Sequence, residues 1–249
     1  MLASMSMRIL HLNYASDCFV SAGLYEMTRK PVVLSWSGGK DSALALDALS
    51  KDPTLEVVGL LTSVTCDYDR ISVHGVRRSL LEAQVARLGL PLFEITLEPN
   101  CTNDAYELAF RDALEGIRRK LPDVAHIAFG DLFLEDVRTY RERLLAGSGF
   151  DPIFPIWGLD TASLARRFIA DGFVARVVCV DTTQLDATFA GRLFDDDLLG
   201  DLPVSADPCG ERGEFHTFVS DGPPFSAPIP YRVGETVLRD ERFMFCDLE

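Results

Sequence analysis

From residue 32 to about 180, short apolar runs alternate with longer segments in which apolar residues recur every three to four positions. A short apolar run bounded by turn residues reads as a strand buried on both faces, and the periodic segments read as amphipathic helices. Strands are therefore predicted at 32–36, 57–62, 92–96 and 125–129, with a fifth near 152–156. Helices are predicted between them at 41–50, 76–88, 105–120 and then 137–146. Leu80, Leu81, Val85 and Leu88 make one face of the second helix, which "LGLP" ends with a glycine and a following proline. Regular alternation of this kind predicts an α/β fold: a parallel five-stranded sheet with flanking helices, Rossmann-like in layout. Strand ends in such a sheet gather on one edge, where ligands bind.

A helix at 161–170 and a strand at 175–180 continue the alternation. Beyond residue 181 it gives way to acidic and Pro/Gly-rich loops, "FDDDLLGDLP" and "SADPCGERGE", and to short strands near 215–219, 236–239 and 242–246. This change predicts a smaller C-terminal α+β domain at 158–249, behind a sheet domain at 28–157. Residues 1–27 read as an extension with little expected order, lacking a secretory pattern because polar residues interrupt the apolar stretch.

The stretch "VVLSWSGGKDSALALDAL" joins the first strand directly to a helix through two glycines. The first N–H groups of a helix have no partner inside it, and the helix dipole adds partial positive charge there. Such a junction is an anion site, most simply a phosphate site. Gly38 and Gly39 allow a tight turn and close approach of backbone to ligand. Lys40 brings a charge, Asp41 can cap the helix or hold a metal, and Ser37 and Ser42 carry hydroxyls. The loop is not G-x-x-x-x-G-K-[ST], because an aspartate follows Lys40 and the first glycine is missing. It does match S-G-G-x-D-S, the pyrophosphate loop of ATP pyrophosphatases.

Three further segments fall at the same predicted sheet edge. "TSVTCDYDR" follows the second strand. "ISVHGVRRSLLEAQ" puts His74, Arg77 and Arg78 at the mouth of the second helix, where arginines oppose the local dipole unless an anion is present. "GDLFLED" puts Gly130 and Asp131 after the fourth strand, with Asp131 able to bind a metal or to cap the loop. Glu135 and Asp136 suit an ordinary helix start. In the C-terminal part, "DPCGERGEFHTFVSDGPPF" gathers Glu211, Glu214 and His216 within a glycine-shaped loop. Such a set can hold an amine, steer ammonia or act as acid and base. On a strand, Glu214 and His216 would share one face.

Composition narrows the function classes. Apolar residues at 47% and charged ones at 25% describe a globular protein, and no apolar run reaches the roughly 18 residues of a membrane helix. A formal charge of −14 argues against nucleic acid, whose binding needs a basic stripe. The six cysteines form no C-x-x-C pair, which fits a reducing cytoplasm and neither a zinc site nor a disulfide framework.

Taken in order, "SWSGGKDS", "HGVRRSLLEAQ", "GDLFLEDVRTYRERLL", "PIFPIWGLDT" and "GERGEFHTFVSDGPPF" resemble the diphthine–ammonia ligase family of pyrophosphate-loop ATPases, over 28–249. The resemblance implies an adenine nucleotide alpha hydrolase-like fold with ATP across the strand ends. It implies a ligase that adenylates a carboxylate, releases pyrophosphate and lets ammonia displace AMP. ATP would be held by Ser35, Ser37, Gly38, Gly39, Lys40, Asp41, Ser42, Thr62, His74, Arg77 and Gly130, and Mg²⁺ by Asp41 and Asp131. Lys40, Asp41, Glu211, Glu214 and His216 would be catalytic, on a cytoplasmic protein that can form a homo-oligomer. "DPCGERGEFHTFV" resembles bacterial members, so the nucleotide chemistry carries over while the acceptor carboxylate, on a protein or a small molecule, need not be diphthine. A nucleotide-binding regulator without ligase chemistry, or a pyrophosphate-loop enzyme modifying tRNA or a metabolite, stays open beside this reading.

Overall fold

The computed structural model describes residues 29–65, 70–71, 75–99 and 101–249; His74, the extension at 1–27 and most of "CDYDR" lie outside them. Five strands pair in parallel: β1 (Lys30–Ser35), β2 (Leu55–Thr65), β4 (Leu92–Leu97), β5 (His126–Ala128) and β6 (Asp151–Ile153). The pairings give the order β4-β2-β1-β5-β6. A two-residue strand, β3 (Arg70–Ile71), adds antiparallel to the end of β2.

Period-two alternation decides which helix each strand residue meets. Val32, Leu34, Leu60 and Val64 face one core with α1 (Lys40–Lys51) and α2 (Arg78–Leu88). Val33, Leu61, Ile95 and Ile127 face a second core with α3 (Asn103–Lys120) and α4 (Glu135–Leu145). Val32, Val33 and Leu34 are fully buried, as the unbroken apolar run requires of a strand covered on both sides. Phe110, Ala113, Leu114 and Ile117 form the buried stripe of α3 at helical spacing, and Thr102 caps its start by accepting from the amide of Ala105. Helix α1 is buried over most of its surface, Lys40, Ser42 and Asp47 included, because it is enclosed with β2 on one side and the C-terminal part on the other.

That part consists of α5 (Thr161–Ala170), a four-stranded antiparallel sheet in the order β8-β7-β10-β9, and a short helix. Its strands are β7 (Val174–Asp181), β8 (Phe215–Asp221), β9 (Val233–Arg239) and β10 (Phe243–Leu248). The acidic stretch expected to be loop contains helix α6 (Asp196–Asp201). Asp195 caps it by accepting from the amide of Leu198, and Asp196 and Asp197 lie where the dipole favours carboxylates. Strand-poor composition had concealed this turn, whose Leu198 is buried in the core.

One core cluster runs from β1 and α1 through α5 into β7 and β8. At its centre Phe168 stacks on Phe173 with centroids 4.8 Å apart and meets Phe194 edge-on at 5.5 Å. Replacing Phe168 by Ala should cost about 3–5 kcal/mol, read as a lowered denaturant midpoint with unchanged slope.

Candidate active site

The strand order reverses between β1 and β5, since the chain leaves β1 toward β2 on one side and returns on the other. A crevice opens beyond the carboxyl ends of two strands at such a switch point. Here it is a cleft of about 510 Å³. Of the residues singled out from sequence, Ser35, Ser37, Asp41, Ser42, Thr62, Gly130, Asp131, Glu211 and His216 line it.

The loop after β1 is held by the rest of the molecule as well as by its own serines, Ser37 Oγ accepting from the Gly39 amide at 3.3 Å and Ser42 Oγ donating to the Gly39 carbonyl at 2.9 Å. Gly38 sits at φ +78°, and a Cβ there would come within 2.7 Å of the Gln84 side-chain oxygen. The Gly38 carbonyl accepts from the amide of Val219 at 2.9 Å and from Gln84 Nε2 at 3.0 Å. Gln84 is fully buried with every polar group matched, since Nε2 also donates to the Val219 carbonyl at 2.7 Å and Oε1 accepts from Trp36 Nε1 at 3.0 Å. The amide of Lys40 donates to Thr217 Oγ1 at 3.0 Å. Gly130 closes the other side: a Cβ there would lie 2.9 Å from the Asp41 carbonyl and 3.1 Å from the Ser42 amide nitrogen. Only glycine lets β5 come this close to the first turn of α1.

Lys40 is not spread on the cleft wall but lies beneath it, 2% exposed. Its ammonium bonds Asp41 Oδ2 at 3.0 Å and stands 5.2 Å above the Phe215 ring. Burial alone would lower the lysine's pKa, and the neighbouring carboxylate outweighs this, so the cation is kept. Burial raises the Asp41 carboxyl, with Lys40 opposing. Its other oxygen, Oδ1, is buried without a hydrogen-bond partner.

The two glutamates of the C-terminal loop do different work. Glu214, 2% exposed, accepts from the amides of Asp207 at 2.7 Å and Arg212 at 2.9 Å, so both oxygens are spent on folding the loop. Glu211 Oε1 reaches across to the other domain, accepting from the amide of Leu132 at 2.7 Å, and faces the cleft. Burial pushes its carboxyl up to about 7, with the nearby Asp41 adding to the rise. Cys209 in the same loop is pushed up to about 12 by burial and stays a protonated thiol.

Arg77 is not brought to the cleft. Its guanidinium bonds Asp247 and, at 2.7 Å, Glu249, which offset the unfavourable dipole that the sequence suggested an anion would offset. Sequence reasoning in turn passed over Arg141 and Tyr106, which line the cleft from α4 and α3. Arg141 had only its place in "GDLFLEDVRTYRERLL", whose other members looked more reactive, and Tyr106 lay in no motif.

Against known proteins, the model of the diphthamide synthase N-terminal domain matches residues 29–152, and that of the diphthamide synthase C-terminal domain matches 160–244. The chain belongs to the diphthamide synthase family. A curated zebrafish (Danio rerio) diphthine–ammonia ligase is similar at 25% identity over 223 residues, covering 82% of this chain and 88% of the relative. Membership supports an ATP-dependent, ligase-like enzyme. No helix among the described residues is long and apolar enough to cross a membrane.

Two outcomes are expected. Gly130→Ala should force β5 and α1 apart and destabilise the protein by about 1–3 kcal/mol, measurable by urea unfolding. For Glu211, folding raises the pKa from 4.5 to about 7, so its stabilising contribution is full below 4.5 and lost as pH climbs through about 7. The stability of the wild type relative to Glu211→Gln should therefore fall between pH 4.5 and 7.5, by roughly 1–2 kcal/mol once solvent screening is allowed for. A pH-independent difference would show that the carboxyl is unperturbed.

Proposed function

We propose that the protein is an AMP-forming carboxylate–ammonia ligase, with ATP, ammonia and a carboxylate acceptor as substrates. The observation that carries this reading is the gathering of polar groups on the switch-point cleft: Asp41 Oδ1 and Thr62 Oγ1 are buried without a hydrogen-bond partner, and the Asp131–Arg141 ion pair lies beside them. Buried polar atoms are ordinarily paired, and a set left open around one cleft marks a place for a polar ligand. The wall beside them is apolar, with Leu61, Ile95, Leu97 and Phe129, as a nucleobase requires.

In this reading the turn 37–42 takes the β- and γ-phosphates. The Lys40 amide is already given to Thr217 and the Ser42 hydroxyl to the Gly39 carbonyl, so the helix-start amides of Asp41 and Ser42 carry the contact, with the charge of Lys40 behind them. An oxygen of the acceptor carboxylate attacks the α-phosphorus, and the bond from that phosphorus to the bridging oxygen breaks. Pyrophosphate leaves with the electron pair, and a mixed acyl–adenylate remains. Ammonia then adds to the acyl carbon and AMP departs, giving the amide. Fixed donors aimed at developing charge are each worth about 3 kcal/mol of barrier. Glu211, poised near neutrality, can take the proton from ammonium so that ammonia attacks. His216 lines the same wall, and Glu214 sets the loop that presents Glu211.

The donors fit Mg²⁺ in the usual way of one carboxylate with substrate phosphates, through Asp41; Asp131, opposed by Arg141, fits less well. The ion would neutralise charge on the leaving pyrophosphate. No cluster of three or more His, Cys, Asp or Glu suited to a metal occurs among the described residues.

Incubation with Mg-ATP, ammonium and a pool of carboxylic metabolites should release AMP and pyrophosphate. Asp41→Asn and Lys40→Met should each lower that release at least a hundredfold, with circular dichroism confirming a fold. Release of ADP by the wild type would refute the mechanism, and nucleotide binding without any AMP would mark a sensor instead.

A further inference from the structure

Arg141 has no part in the chemistry above, yet its position is specific. Among the described residues it is the one lysine or arginine that lines the cleft, whose other ionisable lining groups include Asp41, Asp131 and Glu211. Lys40 lies under the floor and is paired. A polyanionic substrate entering this wall meets carboxylates and one guanidinium. That guanidinium is held in place: it stacks over the Phe129 ring at 5.0 Å and stands 3.5 Å from Asp131 Oδ2. The two atoms are buried and face each other as an ion pair without close hydrogen-bond geometry. Arg141 thus presents a fixed cation to the cleft, resting on the Phe129 ring and paired at Nε with Asp131.

Its place along the cleft says which acceptor would fit. Asp131 follows Gly130, whose backbone abuts the first turn of α1 and so the phosphate turn. Leu97, Tyr106 and Phe129 also line the cleft, with the Phe129 ring directly under the guanidinium. Arg141 therefore stands between the turn that takes the outer phosphates and the apolar wall that takes the base. In ATP the group between these two parts is the α-phosphate. We infer that Arg141 holds the α-phosphate of the nucleotide, with Asp131 and Phe129 as the positioning residues that aim its guanidinium. Guanidinium is suited to this because its planar donors match phosphate oxygens and its charge is permanent. In the adenylation step it would also oppose the charge that gathers on the α-phosphoryl oxygens as the acceptor attacks. This inference rests on the ligase reading only in so far as the cleft binds ATP.

The test compares Arg141→Met and Arg141→Lys with wild type in calorimetric titrations with four probes: Mg-ATP, AMP, adenosine and Mg-pyrophosphate. Arg141→Met should weaken ATP and AMP at least tenfold and leave adenosine and pyrophosphate within twofold, while Arg141→Lys recovers part of the loss. AMP affinity within twofold of wild type would overturn the assignment, as would an equal loss for adenosine, which would place the side chain against the base or in the fold. A wild type that binds neither ATP nor AMP would overturn the ligase reading and this inference together, and is told apart because it needs no variant.

Discussion

The carbonyl oxygen of Gly38 is where the molecule is tied together. It accepts from a strand of the second sheet, through the amide of Val219, and from a helix of the first domain, through Gln84. A glycine turn has many conformations open to it, and an anion site needs one. The two donors, with Thr217 on the next amide but one, remove the alternatives. The Gln84 amide is effective because none of its groups is left over: a buried amide with an unmatched N–H or C=O would cost more than it gave. The turn is thus shaped before any ligand arrives, which is the condition for fixed donors to lower a barrier.

Charge is arranged around this turn in layers. The one ammonium is buried, kept ionised by Asp41 and cushioned by an aromatic ring. Above it lies a carboxyl raised by burial, and across the cleft a glutamate also raised by burial, fixed by amides of the opposite domain. A formal charge of −14 on the whole chain is therefore a poor guide to the site, where the basic groups are few and individually placed.

Much of this was legible in the sequence. The parallel sheet followed from apolar runs such as 32–34, because a strand covered on both faces has no reason to alternate, and the tight turn from strand into helix followed from two glycines between them. Helix α6 was hidden by its acids, which mark a loop by composition and a helix start by position. The distinct fates of Glu211 and Glu214 were also illegible: they are three residues apart in one loop, and only the tertiary fold decides which carboxylate binds the amides of its own loop and which reaches across to the cleft. Arg77 misled for a related reason, since the acids that neutralise it lie some 170 positions downstream. Arg141 stood inside "GDLFLEDVRTYRERLL", but nothing local tied it to a turn that comes from a different strand.

The contact between the Lys40 amide and Thr217 spans 177 positions of chain. During synthesis the first domain emerges from the ribosome long before β8 does. Until that strand arrives, its glycine turn lacks half its braces, so a nascent or truncated chain has the motif without the conformation. In the proposed reading nucleotide handling would be conditional on the C-terminal sheet, and a fragment ending near residue 157 would retain the signature of the family while losing the Thr217 and Val219 bonds to its turn.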